Sequence, residues 1–296
     1  MNKLSAYLAE RKTCVEQALA QQCTADAIPE RLREAMRYSL LCGGKRLRAI
    51  LVIAGAEIAG GTMHDVMPCA CALEMIHAFS LVHDDLPAMD DDDLRRGQPT
   101  NHKVFGEAIA ILAGDGLLSE AFSLLVRGPW TNRSDPVARL AVIGMIADAT
   151  GGRGMVSGQL LDIVAEQHQL SSAEVEHLHR CKTGALIQAA VVSGAQLVGA
   201  SETLLASLRR YGAAVGCAFQ IADDLLSLER TTEELGKRAG NDVARQKATY
   251  PAMAGAAVAR ERMHALSAEA IDALADFDHR ADPLRWLAQY VTERTS

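Results

Sequence analysis

The chain has 296 residues, of which 49% are apolar, and a formal net charge of −7. The acidic balance, with no basic run interleaved with aromatics, argues against nucleic acid as the main partner. Seven cysteines at positions 14, 23, 42, 69, 71, 181 and 217 lack C-x-x-C spacing and a histidine at zinc-finger distance, which points to reduced thiols in a cytoplasmic protein.

Charges from Lys3 to Lys12 interrupt any signal-peptide core, and no segment is expected to span a membrane. Ala185 to Ala200 comes closest, but Gln188, Ser193 and Gln196 break it. Aromatics are 4%, and Ala, Leu, Glu and Gln dominate nearly every segment, so the chain is read as all-α. Helices are predicted over 3–21, 30–41, 46–59, 66–85, 104–112, 115–127, 136–149, 155–164, 172–181, 183–198, 202–228, 242–267 and 283–293. Prolines are expected between these segments, and Gly43-Gly44, Gly60-Gly61, Gly97-Gln98-Pro99, Gly128-Pro129 and Gly151 to Gly154 read as turns. Nothing resembles a linker, so residues 1–296 are expected to form one domain.

Six carboxylates stand in the ten residues from Asp84 to Asp93, followed at once by Arg95-Arg96-Gly97. Taken alone, such a run is a solvated acidic loop. Upstream, however, lies the apolar helical run Ala72 to Val82, which puts Asp84 and Asp85 in a last turn. Leu86 precedes Pro87, so the helix should end there and Asp90 should approach Asp84 from a turn. Carboxylates so placed suit Mg²⁺, which takes one or two of them and completes its shell with water and phosphate oxygens. A second pair, Asp223-Asp224, lies on the predicted 202–228 helix. There Gln220, Asp223, Asp224 and Ser227 share a face about 100° wide, with Ile221, Leu225 and Leu228 opposite as core.

Three basic motifs accompany the acidic ones. Gly43-Gly44-Lys45-Arg46-Leu47-Arg48 places cations at a helix start, where an anion would be favoured by both the charges and the free N–H groups. Arg95-Arg96 offers two planar forks suited to phosphate, and Lys182-Thr183-Gly184 interrupts a helical stretch. Two substrates carrying diphosphates account for both kinds of cluster: metal would hold one group against the aspartates, and Lys and Arg would hold the other directly. Apolar helix faces below would receive hydrocarbon tails.

Together these motifs, with Pro99-Thr100-Asn101-His102, Phe219-Gln220-x-x-Asp223-Asp224, Gly236-Lys237-Arg238 and Lys247-x-Thr249-Tyr250-Pro251, resemble the trans-isoprenyl diphosphate synthase family, in its bacterial farnesyl diphosphate synthase branch. The resemblance runs essentially end to end. It implies one antiparallel helix bundle around a deep central cavity, the isoprenoid synthase fold, and a homodimer. It also implies Mg²⁺, about three ions with substrate bound and replaceable by Mn²⁺. The reaction implied is ionisation of dimethylallyl or geranyl diphosphate, attack by isopentenyl diphosphate, and loss of a proton.

Matched position by position, Asp84, Asp90 and Asp223 are the implied metal ligands, and Asp85 belongs to the same catalytic cluster. Arg95, Lys182 and Lys237 are implied to hold the allylic diphosphate, with Lys247 also in the substrate site. Gly44, Lys45, Arg48, His77 and Arg96 correspond to the isopentenyl diphosphate pocket, and Thr183 and Gln220 stand near the developing carbocation. Phe79 or Ser80 is the implied floor that limits chain length. An ideal helical wheel leaves Phe79 about 140° from Asp84, so spacing alone does not aim its ring at the cavity. Geranyl and geranylgeranyl diphosphate remain alternative products.

The match departs at Ser227, where the family usually has Asp. A terpene cyclase would tolerate Ser227 but want Glu where Thr231 stands, and would not need Lys45, Arg48 and Arg96. A non-catalytic synthase subunit would not be expected to keep Asp84, Asp85, Asp90 and Lys182.

Overall fold

The computed structural model describes residues 3–131, 133–165, 170–229 and 249–293. Helices dominate: α1 (Lys3–Leu19), α2 (Glu30–Leu40), α3 (Leu47–Ile58), α4 (Met63–Asp84), α5 (Asn101–Phe105), α6 (Glu107–Arg127), α7 (Pro136–Thr150), α8 (Met155–Ala165) and α9 (Ser172–His179). A π-helical turn, Arg180–Gly184, leads into α10 (Ala185–Leu197), followed by α11 (Glu202–Glu229), α12 (Tyr250–Ala254), α13 (Ala256–Asp272) and α14 (Asp282–Glu293).

Four expectations about boundaries fail for identifiable reasons. Helix α4 starts at Met63 rather than 66, because the Thr62 N–H donates to Asp65 Oδ2 at 2.9 Å and closes the first turn; Pro68 therefore lies inside a helix. The break expected at 112–115 is absent. Gly114 and Gly116 serve packing instead: a Cβ on Gly114 would stand 2.1 Å from His83 Nε2, and one on Gly116 would stand 3.0 Å from Met36 Sδ. The break falls at Gly106, where φ is 88°. Lys182-Thr183-Gly184 does not interrupt its helix but widens it into the π turn. The predicted 242–267 helix is, in its described part, α12 and α13 with Gly255 (φ 86°) between them.

The bundle is built on α3 and α10, whose residues are almost entirely buried. They cross at backbone contact. A Cβ on Gly55 would lie 2.0 Å from Val191 O, and one on Gly194 would lie 1.9 Å from Val52 O, so only glycine fits on either side. Leu47 and Leu51 of α3 and Ile187 of α10 line the same apolar pocket, which places the starts of both helices at one end of the bundle. That end carries Gly43 to Arg48 on one helix and Lys182-Thr183 on the other. Ile221 and Leu225 of α11 are fully buried as expected, but Leu228 is 51% exposed and is not core.

By length and composition α4 and α6 could each cross a bilayer. Helix α4 is spent on the core, being packed against α3 and α6. Helix α6 keeps Ile111, Leu112 and Val126 exposed, beside Val137 and Leu140 of α7.

Candidate active site

At the end of α4 the chain turns back as the Leu86-Pro87 pair predicts, and the Asp90 N–H donates to the Asp84 carbonyl at 2.7 Å. A two-residue hairpin follows, pairing Leu94 with Pro99 and Arg95 with Gln98. Its corner is Arg96-Gly97, with φ of 54° and 76°, the positive pair that a tight right-twisted hairpin requires. Pro99 to His102 fastens this hairpin, and Pro99, Thr100 and Asn101 also line the cleft beside it. Thr100 Oγ1 donates to Asp92 O at 2.8 Å, and Asn101 Nδ2 donates to Ala35 O and Ser39 Oγ, both at 2.8 Å.

The hairpin points its two arginines in different directions. Arg95 donates to Asp85 Oδ1 through both Nε and Nη2, and Nη2 also reaches Asp92 Oδ2 at 3.1 Å. Burial pushes the Asp84 carboxyl up to about 6; Asp90 and Asp85 push the same way, while Lys182 and Arg95 oppose. Burial likewise pushes Asp85 up to about 6 against the pull of its bonds to Arg95. Like charges are thus held together out of water.

Arg96 turns the other way and donates to Gly43 O, with Cys42 Sγ 3.6 Å away. Gly44 (φ 118°) makes this approach possible, since a Cβ there would stand 2.6 Å from the Arg96 guanidinium carbon. His77 lies beneath. Burial, reinforced by Arg48, Arg96, Arg95 and Arg46, drives its pKa well down, so the imidazole is neutral at ordinary pH. Burial lowers the Arg48 pKa too, with Arg96 adding to it and Glu74 and Asp223 opposing. His77 Nδ1 and Arg48 Nε are buried and have no protein partner. Cations concentrated around unpartnered buried hydrogen-bonding atoms make this pocket electrostatically favourable to an anion.

A narrow cleft runs past His77, Leu81, Asp85, Arg95 and Arg96. Lys45 is exposed at the edge, its Nζ 5.7 Å from the Tyr290 ring centroid. Arg46, in the same motif, is structural: it caps α3 in a left-handed conformation, donates to Leu40 O, and pairs with Glu74 at 3.5 Å.

The π turn joins the acidic helices. Lys182 Nζ donates to Asp162 Oδ2 at 2.5 Å while its charge acts on Asp84, and Thr183 Oγ1 donates to Gln220 Oε1 of α11 at 2.8 Å. Glycines on both neighbours admit it: a Cβ on Gly158 of α8 would stand 2.2 Å from Lys182 N, and one on Gly216 of α11 would stand 2.7 Å from Gly184 Cα. Asp223 is half-buried and acts on Arg48, whereas Asp224 is buried and turned inward. Phe79 is buried, its ring edge-on to His83 at a centroid distance of 5.0 Å, and the Ser80 hydroxyl donates to His77 O. Lys237 and Lys247 lie outside the described residues.

Sequence reasoning missed Asp162, Glu74 and His179, all buried at 7% exposure or less. Asp162 and Glu74 could have been found as single acids inside apolar helical runs, since such residues are rarely buried unpaired. Among the described residues no three His, Cys, Asp or Glu side chains converge into a preformed metal cage. Mg²⁺ bound by one or two carboxylates and by phosphate oxygens needs none, and a divalent cation would relieve the crowded charge at Asp84. The donor set therefore fits.

The all-helical architecture is the isoprenoid synthase fold. Residues 29–281 match the family model described as polyprenyl synthetase. The chain is 42% identical over 296 residues to the farnesyl diphosphate synthase of Bacillus subtilis (strain 168), covering 99% of each. It is 44% identical over 293 residues to the chloroplastic geranylgeranyl pyrophosphate synthase of Catharanthus roseus, covering 98% of this chain and 81% of that one. The solved apo structure of an FPP/GFPP synthase from Zymomonas mobilis superposes with a TM-score of 0.87 at 36% identity, covering 97% of this chain and 98% of that one. The chain belongs to the polyprenyl synthetase family. Its activity is that of a trans-prenyltransferase, and the relatives divide over product length.

Proposed function

We propose that the chain condenses isopentenyl diphosphate with dimethylallyl and then geranyl diphosphate, and releases farnesyl diphosphate. The observation that carries this reading is the contrast at one end of the bundle. The crowded carboxylates of half-buried Asp84 and buried Asp85 call for a cation, while arginines around the neutral His77 call for an anion. Two diphosphates held by two chemistries satisfy both.

Asp84, Asp90 and Asp223 would hold Mg²⁺, with Asp85 keeping Arg95 in place beside them. The metal supplies Lewis-acid stabilisation of the departing diphosphate. Arg95 and Lys182 orient that group, and Lys237 and Lys247 are assigned to the same substrate site from sequence. Gly44, Lys45, Arg48, His77 and Arg96 bind isopentenyl diphosphate; the orphaned His77 Nδ1 and Arg48 Nε become donors to its oxygens. Thr183 and Gln220 face the cation that forms.

Product length rests on Phe79. Its ring is backed by His83, whose Nε2 lies 3.0 Å from Ile111 O and whose seat against α6 exists because Gly114 has no side chain. A ring braced this way is costly to displace, since overpacking costs about 1–3 kcal/mol, roughly ten- to hundredfold against a further addition. Residues 1–296 act as one domain. The seven free cysteines favour a reducing cytoplasm, and the exposed apolar faces of α6 and α7 favour a homodimer.

The test is product analysis by chain length with dimethylallyl diphosphate, labelled isopentenyl diphosphate and Mg²⁺. Wild type should yield mainly the fifteen-carbon product, and Phe79→Ala should release products of twenty carbons or more. An unchanged distribution in the variant would remove Phe79 as the floor and leave Ser80 and the α6 wall to examine.

A further inference from the structure

Behind Thr183 and Gln220 runs a chain of hydrogen bonds with a fixed polarity. Thr183 Oγ1 is 2.8 Å from Gln220 Oε1, and Gln220 Nε2 is 3.1 Å from Asp224 Oδ1. Asp224 Oδ2 accepts the Tyr250 N–H at 2.9 Å and stands 3.3 Å from His179 Nε2. The arrangement is buried: Asp224 is 7% exposed, His179 2% and Tyr250 5%. Tyr250 is itself held, since its hydroxyl bonds Glu176, which pairs with Arg262 Nε at 2.9 Å.

From these contacts we infer that Asp224, anchored by Tyr250 and His179, is a positioning residue that fixes which way the Thr183 hydroxyl points. Both Asp224 oxygens accept, Oδ1 from Gln220 Nε2 and Oδ2 from the Tyr250 N–H, so the carboxylate holds the NH₂ side of the Gln220 amide and turns the amide oxygen toward Thr183. That oxygen claims the single hydrogen of the Thr183 hydroxyl. The hydroxyl then has only lone pairs to offer elsewhere. A lone pair favours positive charge developing nearby, whereas an O–H pointed at it would be repelled. This inference rests on the reading that Thr183 faces the developing carbocation.

The decisive substitution is Asp224→Asn, which keeps the shape and reverses the polarity. The Tyr250 N–H requires an oxygen opposite it, so the new amide would present its NH₂ to Gln220. Gln220 would then flip and donate to Thr183, and the hydroxyl hydrogen would swing toward the substrate. We expect kcat to fall roughly ten- to hundredfold, with KM for the allylic diphosphate and Mg²⁺ half-saturation changed by no more than about threefold, the pattern of an interaction made only in the transition state.

Thr183→Val should lower kcat by a similar factor, and the double variant should be no slower than Thr183→Val alone, because no hydroxyl remains to misdirect. Multiplying losses, or a raised Mg²⁺ requirement, would overturn the inference by showing that Asp224 acts through the metal end of α11. Should Asp224→Asn fold poorly, the exchange pair Gln220→Glu with Asp224→Asn restores a donor facing an acceptor. That pair should recover most of the lost kcat, and no recovery would count equally against the relay. Absence of any elongated product from wild type would instead strike the proposed function, so the two failures are distinguishable.

Discussion

Each of the two paired aspartates divides its labour, but with different partners. In Asp84-Asp85 the inward residue is Asp85, which takes both Arg95 bonds and a compensating charge. In Asp223-Asp224 the inward residue is Asp224, which takes a backbone N–H and an amide. The first pair thus carries its own counterion, and its neighbour Asp90 is brought alongside by a backbone bond to Asp84. The second pair is built into a hydrogen-bond chain through Gln220 and the Tyr250 N–H, with His179 Nε2 3.3 Å from Asp224, and one turn further on it meets Ser227 where a further acid would help a metal. Identical dipeptides on apolar helices therefore differ in capacity: the first site gathers several carboxylates, while the second offers Asp223 with electrostatic contact to Arg48.

The largest effect follows from that asymmetry. Asp84→Ala should lower kcat by about 10²-fold or more, the scale of losing one preorganised electrostatic group, with the far-ultraviolet spectrum unchanged. Asp223→Ala should cost less in kcat and more in Mg²⁺ half-saturation. Steady-state kinetics across a Mg²⁺ series separate these cases. Equal losses in the two variants would break the comparison, and near wild-type turnover in Asp84→Ala would remove the acidic rim from the reaction.

A second effect is visible without substrate. Asp84 and Asp85 both have carboxyls pushed up to about 6, from an ordinary value of 3.8, chiefly by burial. The folded protein therefore binds these protons more tightly than the unfolded chain does. Their stabilising contribution is fully present below the unfolded value and is lost as pH rises through about 6. In a chelator, the Tm of wild type relative to Asp84→Asn should fall by a few degrees between about pH 4 and pH 6. The variant is the reference because the imidazoles of His77 and His102, held below their ordinary value chiefly by burial, add stability as pH rises through the same range in both proteins, whereas depressed carboxyls such as Asp278 at about 2 act only at lower pH. A difference that rises across this window would show that the rim is compensated by the protein alone.

Much of this site was legible in the sequence because its chemistry comes in runs. Six acids followed by two arginines, or Gly-Gly-Lys-Arg, are unlike ordinary surface composition, and the bend that returns Asp90 to Asp84 follows from Pro87 alone. Less legible was anything that depends on what lies opposite. Gly114 looked like a helix break because its purpose, room for His83, belongs to another helix. Lys182-Thr183-Gly184 looked like an interruption because a π turn is stabilised by glycines at 158 and 216, far away in the chain. Arg46 stands in the same run of cations as Lys45 and Arg48, and it is the left-handed backbone at α3's start that turns it into the interior. Asp224 shares a helical face with Asp223 on the wheel, and only the position of Tyr250 shows it turned inward.

The smallest effect tests the second pair directly. Ser227 lies one turn beyond Asp223 on α11, about 40° around the helix, half-buried and on the same side. Ser227→Asp would add a carboxylate within reach of a cation held by Asp223, but it would also add a like charge at i,i+4, which costs about 0.2–0.5 kcal/mol in the absence of metal. The two terms have opposite signs and different triggers. In a chelator the variant should melt slightly below wild type; with Mg²⁺ and an allylic diphosphate the order should reverse, and Mg²⁺ half-saturation should improve by about two- to fivefold. Product length should not move, because Phe79 and its brace lie on α4 and α6. Stronger Mg²⁺ binding with an unchanged product would mean that the second pair is simply a weaker copy of the first. A redirected product would mean that the Ser227 hydroxyl touches the growing chain, and the difference between the two aspartate pairs would then be one of function rather than of strength.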